Sequence, residues 1–158
     1  MNLADTLDPA RIALVDHPVV AREDILRLVA RLLCTPELGP ELGVEAVYEA
    51  LLQRERVAST AVGDGVAFPH VKLEGLEAAR TAVVVLRGGG AALGALDGRP
   101  TRIVVALIVP PDSVGGHLML LGVLSRKLRD PVVRAGLLEA PDPAAVIGLI
   151  GELHVVSP

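Results

Sequence analysis

The sequence predicts an α/β or α+β layered domain built around a mixed β-sheet. Three observations lead there. The runs RTAVVVLRG (80–88) and TRIVVALIVPP (101–111) are almost continuously apolar and rich in β-branched residues, as strands covered on both faces are. Residues 22–34, 44–55 and 113–130 instead repeat apolar side chains at spacings of three and four, the pattern of amphipathic helices. Glycine and proline cluster between these segments and punctuate them. At 158 residues the chain is expected to form one domain, 1–158, with a core of its own.

The elements follow in order. RIALVD (11–16) alternates weakly and predicts a first strand. In the helix 22–34, Ile25, Leu26, Leu28, Val29, Leu32 and Leu33 form the inner stripe. TPELGPELG (35–43) is a turn. The helix 44–55 turns Val44, Val47, Leu51 and Leu52 inward and Glu45, Glu49, Arg54 and Glu55 outward. The stretch TAVGDGVAFPHVKL (60–73) runs from a glycine–aspartate–glycine turn through a short apolar strand that ends at Pro69 and His70. After the two buried strands and their connecting loop (88–100), the helix 113–130 lines up Leu118, Leu121, Leu124 and Leu128. Its basic residues Arg126, Lys127 and Arg129 sit near the C-terminus, where the helix dipole favours cations. Two short helices follow, with Pro131 and Pro143 near their starts, where proline is tolerated.

Charge and composition narrow the function. The net charge is −4, and Tyr48 and Phe68 are the only aromatic residues. Neither a basic surface for phosphates nor a stacking platform for bases follows from that, so nucleic acid and anionic membrane are not expected partners. The N-terminal MNLADTLDPA has no basic start and no apolar h-region, and the run 103–109 is far too short to span a bilayer. A cytoplasmic location is expected. Cys34 has no second cysteine to pair with and reads as a small buried hydrophobe.

Of the four histidines, His17 and His154 lie in a polar turn and near the C-terminus. His70 and His117 each stand at a junction between elements, where functional groups gather. Facing each other across a sheet edge, they admit three chemistries. A metal site would need a third ligand such as Asp64 or Asp112, and no short-spaced motif supplies one. A hydrolase would pair them as acid and base, but no GxSxG elbow is present. A phosphoryl carrier would use one neutral imidazole as nucleophile, with a helix N-terminus to bind the group. Arg54, Ser59 and Thr60 lie just upstream as candidate donors to phosphoryl oxygens. Neither GDG (63–65) nor GGGAALG (88–94) has the spacing of a nucleotide-binding loop, so no cofactor is expected and a phosphoryl group must come from another protein.

The segment LLQRERVASTAVGDGVAFPHVKL (51–73) resembles the active-site segment of the IIA domains of the bacterial phosphotransferase system, in the fructose–mannitol–nitrogen class. That pattern runs roughly L-x-R-E, then S/T-T-G-I-G-x-G-I/V-A-x-P-H. Arg54-Glu55, Ser59-Thr60, Gly63, Gly65, Ala67, Pro69 and His70 fall in register with it. HLMLLGVLSRKLRD (117–130) is similar to the second signature, 47 residues further on. Ala61 and Val71 depart from the first pattern, standing where glycine and a small residue are usual.

The resemblance implies a mixed sheet flanked by helices on both faces. It also implies that His70 accepts a phosphoryl group from an HPr- or NPr-type phosphocarrier. His117 and Arg54 would support that group, and Gly63 and Gly65 would allow a tight backbone near it. The expected role is a stand-alone regulatory IIA of the nitrogen type, whose phosphorylation controls binding to target proteins. The alternative is a sugar-transport IIA that passes the group to a IIB domain. A metal-dependent hydrolase is the remote alternative.

Overall fold

The computed structural model describes residues 2–113 and 115–151. Among them, six strands form one mixed sheet: β1 (Ile12–Val15), β2 (Ala61–Gly63), β3 (Val66–Ala67), β4 (His70–Lys72), β5 (Arg80–Leu86) and β6 (Ile103–Val109). β5 and β6 are the antiparallel centre, in register from Arg80↔Ile108 to Val85↔Ile103. β1 lies parallel to β5. On the far side of β6, β3 and β4 both run parallel to it, and β2 closes the edge antiparallel to β3.

Both faces of this sheet are covered, which is why its central strands are apolar without alternation. Ala82, Val84, Leu86, Val104, Ala106 and Ile108 pack with α2 (Arg22–Leu33) and α3 (Val44–Val57). Val83, Val85, Ile103, Val105, Leu107 and Val109 pack on the opposite face with α4 (Gly116–Leu128), α5 (Pro131–Glu139) and α6 (Pro143–Gly151). Full burial of each valine, leucine or isoleucine among them contributes roughly 1.5–3 kcal/mol. The short helices are stopped and started by local chemistry. Asp130 accepts from Val132 N at 2.9 Å with Pro131 at the first helical position, and Asp142 accepts from Ala145 N at 2.9 Å.

Several expectations need correction. The N-terminal residues form a short helix, α1 (Leu3–Thr6), and a 3-10 turn (Pro9–Arg11) that periodicity does not show. They are tied down from a distance by the buried Arg11, whose guanidinium donates to Thr6 O, Thr35 O and Thr81 O. His70 does not end a strand. It opens β4, after a break at Phe68–Pro69. Leu118 is not on the inner face of α4 but 65% exposed, while Leu120, Leu124 and Leu128 are buried. Leu118 lies two residues, roughly 200° of helical turn, from Leu120. Glu55 is buried at 4% exposure rather than turned outward. Cys34 is half-buried at the end of α2, with its thiol pushed up by burial. His17 is exposed, and His154 lies outside the described residues.

Candidate functional site

The site is built by an interrupted lane along β6. Val66↔Ile103, Ala67↔Val104, His70↔Leu107 and Lys72↔Val109 keep one register, so β3 and β4 are a single path with a gap. Pro69 makes the gap, since it has no N–H to give to the ladder. Its carbonyl still accepts from Leu107 N at 2.9 Å. Phe68 donates sideways to Thr60 O at 3.0 Å, and its ring is buried among the residues that face α4. The Phe68 carbonyl is thereby left for the imidazole of His70, whose Nδ1 lies 2.7 Å away. A carbonyl only accepts, so Nδ1 carries the proton and Nε2 carries the lone pair.

Residues paired across parallel strands share a face. His70 therefore stands on the side of the sheet occupied by Leu107 and α4. From that side comes His117, the second residue of α4, after Gly115 turns the chain at φ 78°. Arg54, in the last turn of α3, reaches the same place. Arg54, His70, Lys72 and His117 line an open pocket of about 330 Å³ whose apolar wall is Val71, Leu107 and Val109. One Arg54 N–H is anchored on Ala58 O at 2.8 Å. Nδ1 of His117 is buried and has no hydrogen-bond partner among the described residues.

The other candidates take supporting positions. Thr60 is buried, and both its N–H and its hydroxyl donate to the Glu55 carboxylate, at 2.9 and 2.7 Å. The Ser59 hydroxyl donates to Leu93 O and accepts from Ala61 N. These bonds fasten the end of α3 and the loop 88–100 to the segment that carries His70. Neither residue lines the histidine pocket.

Gly63 and Gly65 shape the hairpin, with φ of 96° and 77° around Asp64 at 56°. A Cβ on Gly63 would lie 3.0 Å from the Asp97 carboxylate, which accepts from Asp64 N and Arg99 N. Those two bonds hold the Asp97 carboxyl below its ordinary range. Gly63 borders a different cleft, with Phe68, Ser125 and Arg129.

Two residues were not among the candidate site residues of the sequence. Glu55 carried a signal, because an acid in the last turn of a helix opposes the dipole and calls for a specific partner. Lys72 carried another, since period two on a strand puts it on the same face as His70. Among the described residues no three His, Cys, Asp or Glu side chains gather as a metal site, and no helix is long and apolar enough to cross a membrane.

Two histidines, an arginine and a lysine around an apolar wall suit a small anion that becomes bonded to an imidazole. Residues 6–152 match the family described as Phosphoenolpyruvate-dependent sugar phosphotransferase system, EIIA 2. The chain belongs to that family. This EIIA 2 chain is 33% identical over 154 residues to a Nitrogen regulatory protein of Pseudomonas aeruginosa, covering 98% of this chain and 97% of that one. It is 29% identical over 156 residues to a PTS system fructose-specific EIIA component of Haloferax volcanii, covering 97% and 99%. Among solved structures, the Nitrogen Regulatory Protein IIA-Ntr from Neisseria meningitidis has a TM-score of 0.85 at 26% identity, over 94% of this chain and 98% of that one.

Proposed function

We propose that this EIIA 2 chain is a single-domain phosphoryl carrier of the phosphoenolpyruvate-dependent phosphotransferase system, with Nε2 of His70 as the acceptor atom. The observation that carries the reading is the contact of His70 Nδ1 with Phe68 O at 2.7 Å. That bond fixes the tautomer and aims a bare lone pair away from the backbone. The donor is a phosphohistidine on an HPr- or NPr-type phosphocarrier. The Nε2 lone pair attacks phosphorus, a new N–P bond forms, and the donor's N–P bond breaks with its electron pair returning to the donor nitrogen. The donor ring, protonated on its other nitrogen, leaves as neutral imidazole. His70 keeps its Nδ1 proton on the Phe68 carbonyl, so no proton has to move.

Arg54 supplies positive charge to the transferred oxygens. For His117, a buried N–H with no acceptor is rarer than a buried bare lone pair. The favoured tautomer therefore leaves Nδ1 bare and offers Nε2–H to the phosphoryl group. Each chain is loaded once per transfer, as a carrier rather than a free-standing multi-turnover enzyme.

The chain acts as a regulatory IIA of the nitrogen type, working in the cytoplasm through target proteins that distinguish its two states. The higher identity to a nitrogen regulatory protein, 33% against 29% for the fructose component, supports this over a sugar-transport role with a IIB partner. The test is phosphoryl transfer from phosphoenolpyruvate through enzyme I and the phosphocarrier, read by intact mass. Wild type is expected to gain one acid-labile phosphoryl group, His70→Ala none. No gain on wild type with either donor rejects the carrier role.

A further inference from the structure

We propose that Lys72 is a phosphoryl-binding residue, its ammonium pairing with the group carried on His70. The proposal rests on the carrier reading above and adds a further cation to it. His70 and Lys72 are alternate residues of β4, opposite Leu107 and Val109 of β6, so both side chains stand on the same face. Two residues along a strand are about 6.6 Å apart. A lysine's four-carbon stem has the length and rotatable bonds to close that gap. Lys72 lines the pocket with His70, Arg54 and His117, and among the described residues no acidic side chain lines it. Lys72 takes part in none of the ion pairs among the described residues.

The charge of the phosphoryl group gives this free ammonium a task. A phosphoryl group brings between one and two negative charges near neutral pH. In the phosphorylated form the His70 ring, protonated on Nδ1 and bonded to phosphorus through Nε2, is itself cationic, and Arg54 adds a second positive charge beside the apolar wall of Leu107 and Val109. Lys72 adds a third, within a side chain's reach of the phosphoryl oxygens, and biases the group toward its dianion. Because Lys72 is exposed, the pairing is screened and moderate rather than that of a buried ion pair. Exposure also means that changing it leaves the core untouched.

The test needs no protein partner. Wild type, Lys72→Gln and Lys72→Arg are phosphorylated with phosphoramidate, a small-molecule donor, and His70→Ala identifies the His70 signal. The phosphorus resonance is then followed against pH by ³¹P NMR. A paired ammonium favours the dianion. In Lys72→Gln the second ionisation of the phosphoryl group is therefore expected to rise by roughly 0.5–1 pH unit, with Lys72→Arg staying near wild type. Superimposable titrations of wild type and Lys72→Gln overturn the proposal while leaving the carrier reading standing. A wild-type protein that takes no phosphoryl group on His70 overturns both.

Discussion

Replacing Glu55 with alanine should destabilise the protein by about 3 kcal/mol. The carboxylate accepts two hydrogen bonds from one residue, Thr60, at 2.9 Å from its N–H and 2.7 Å from its hydroxyl. Both partners are nearly inaccessible, at 4% and 5% exposure, so water cannot freely replace the lost acceptor. Hydrogen bonds to a charged group contribute about 1.5–3 kcal/mol each, and the lower end of their sum is appropriate because the two share one carboxylate. For a chain of this length 1 kcal/mol moves the midpoint by roughly 2–4 °C, which puts the loss at roughly 6–12 °C. Glu55→Gln keeps the shape and one carbonyl acceptor, and should cost only about 1 kcal/mol. Urea unfolding followed by circular dichroism measures both. On the proposed carrier reading Glu55 also bears on transfer, because Thr60 O receives the Phe68 N–H two residues before His70. Glu55→Ala should therefore slow phosphoryl transfer more than Glu55→Gln does. An alanine variant within 0.5 kcal/mol of wild type would refute the argument.

Three further outcomes follow from the packing and the charges. Leu124 is fully buried among the residues facing α4, so Leu124→Ala should cost about 2.7–5 kcal/mol in the same unfolding assay. Two glycines should respond in opposite senses. A Cβ on Gly88 would sit 2.7 Å from the carbonyl carbon of Asp16 and destabilise by at least 1–3 kcal/mol, on the order of other overpacking changes. A Cβ on Gly122, within α4, meets nothing within 4 Å, and Gly122→Ala should stabilise by about 0.5–1 kcal/mol. Hydrogen bonds from Asp64 N and Arg99 N depress the Asp97 carboxyl below 3.8. Its contribution to stability is thus present above that pH and lost as pH falls through the lower folded value. The stability gap between wild type and Asp97→Asn should narrow steadily below pH 3.8 in acid unfolding curves.

What the sequence revealed and hid follows from whether each signal is local. The buried strands β5 and β6 were legible because double-sided burial leaves a continuous apolar run. The helices α2 and α3 were legible from their period. The break at Phe68–Pro69 was not. Whether an apolar run continues as a strand or parts at a proline depends on which ladder bonds β6 offers. α1 was hidden because Arg11 holds it through carbonyls 70 or fewer residues away. The inner face of α4 was misjudged by a fraction of a turn, since a leucine-rich helix offers more than one stripe. In the site, the two histidines were visible by their place at element junctions and by family pattern. The free lysine beside them was visible only through the strand period, and the carboxylate under Thr60, though in register with the family pattern, showed its buried role only through the helix dipole, signals that matter once the pairing is known.

On the proposed reading the Phe68 carbonyl reserves Nε2 of His70 for the phosphoryl group. This assignment is tested most directly by long-range ¹H–¹⁵N and ³¹P–¹⁵N correlation spectra of the phosphorylated protein carrying ¹⁵N-histidine. Phosphorus coupled to Nε2 of His70, with Nδ1 still protonated, is the expected result. Phosphorus on Nδ1 of His70, or on His117, would contradict it.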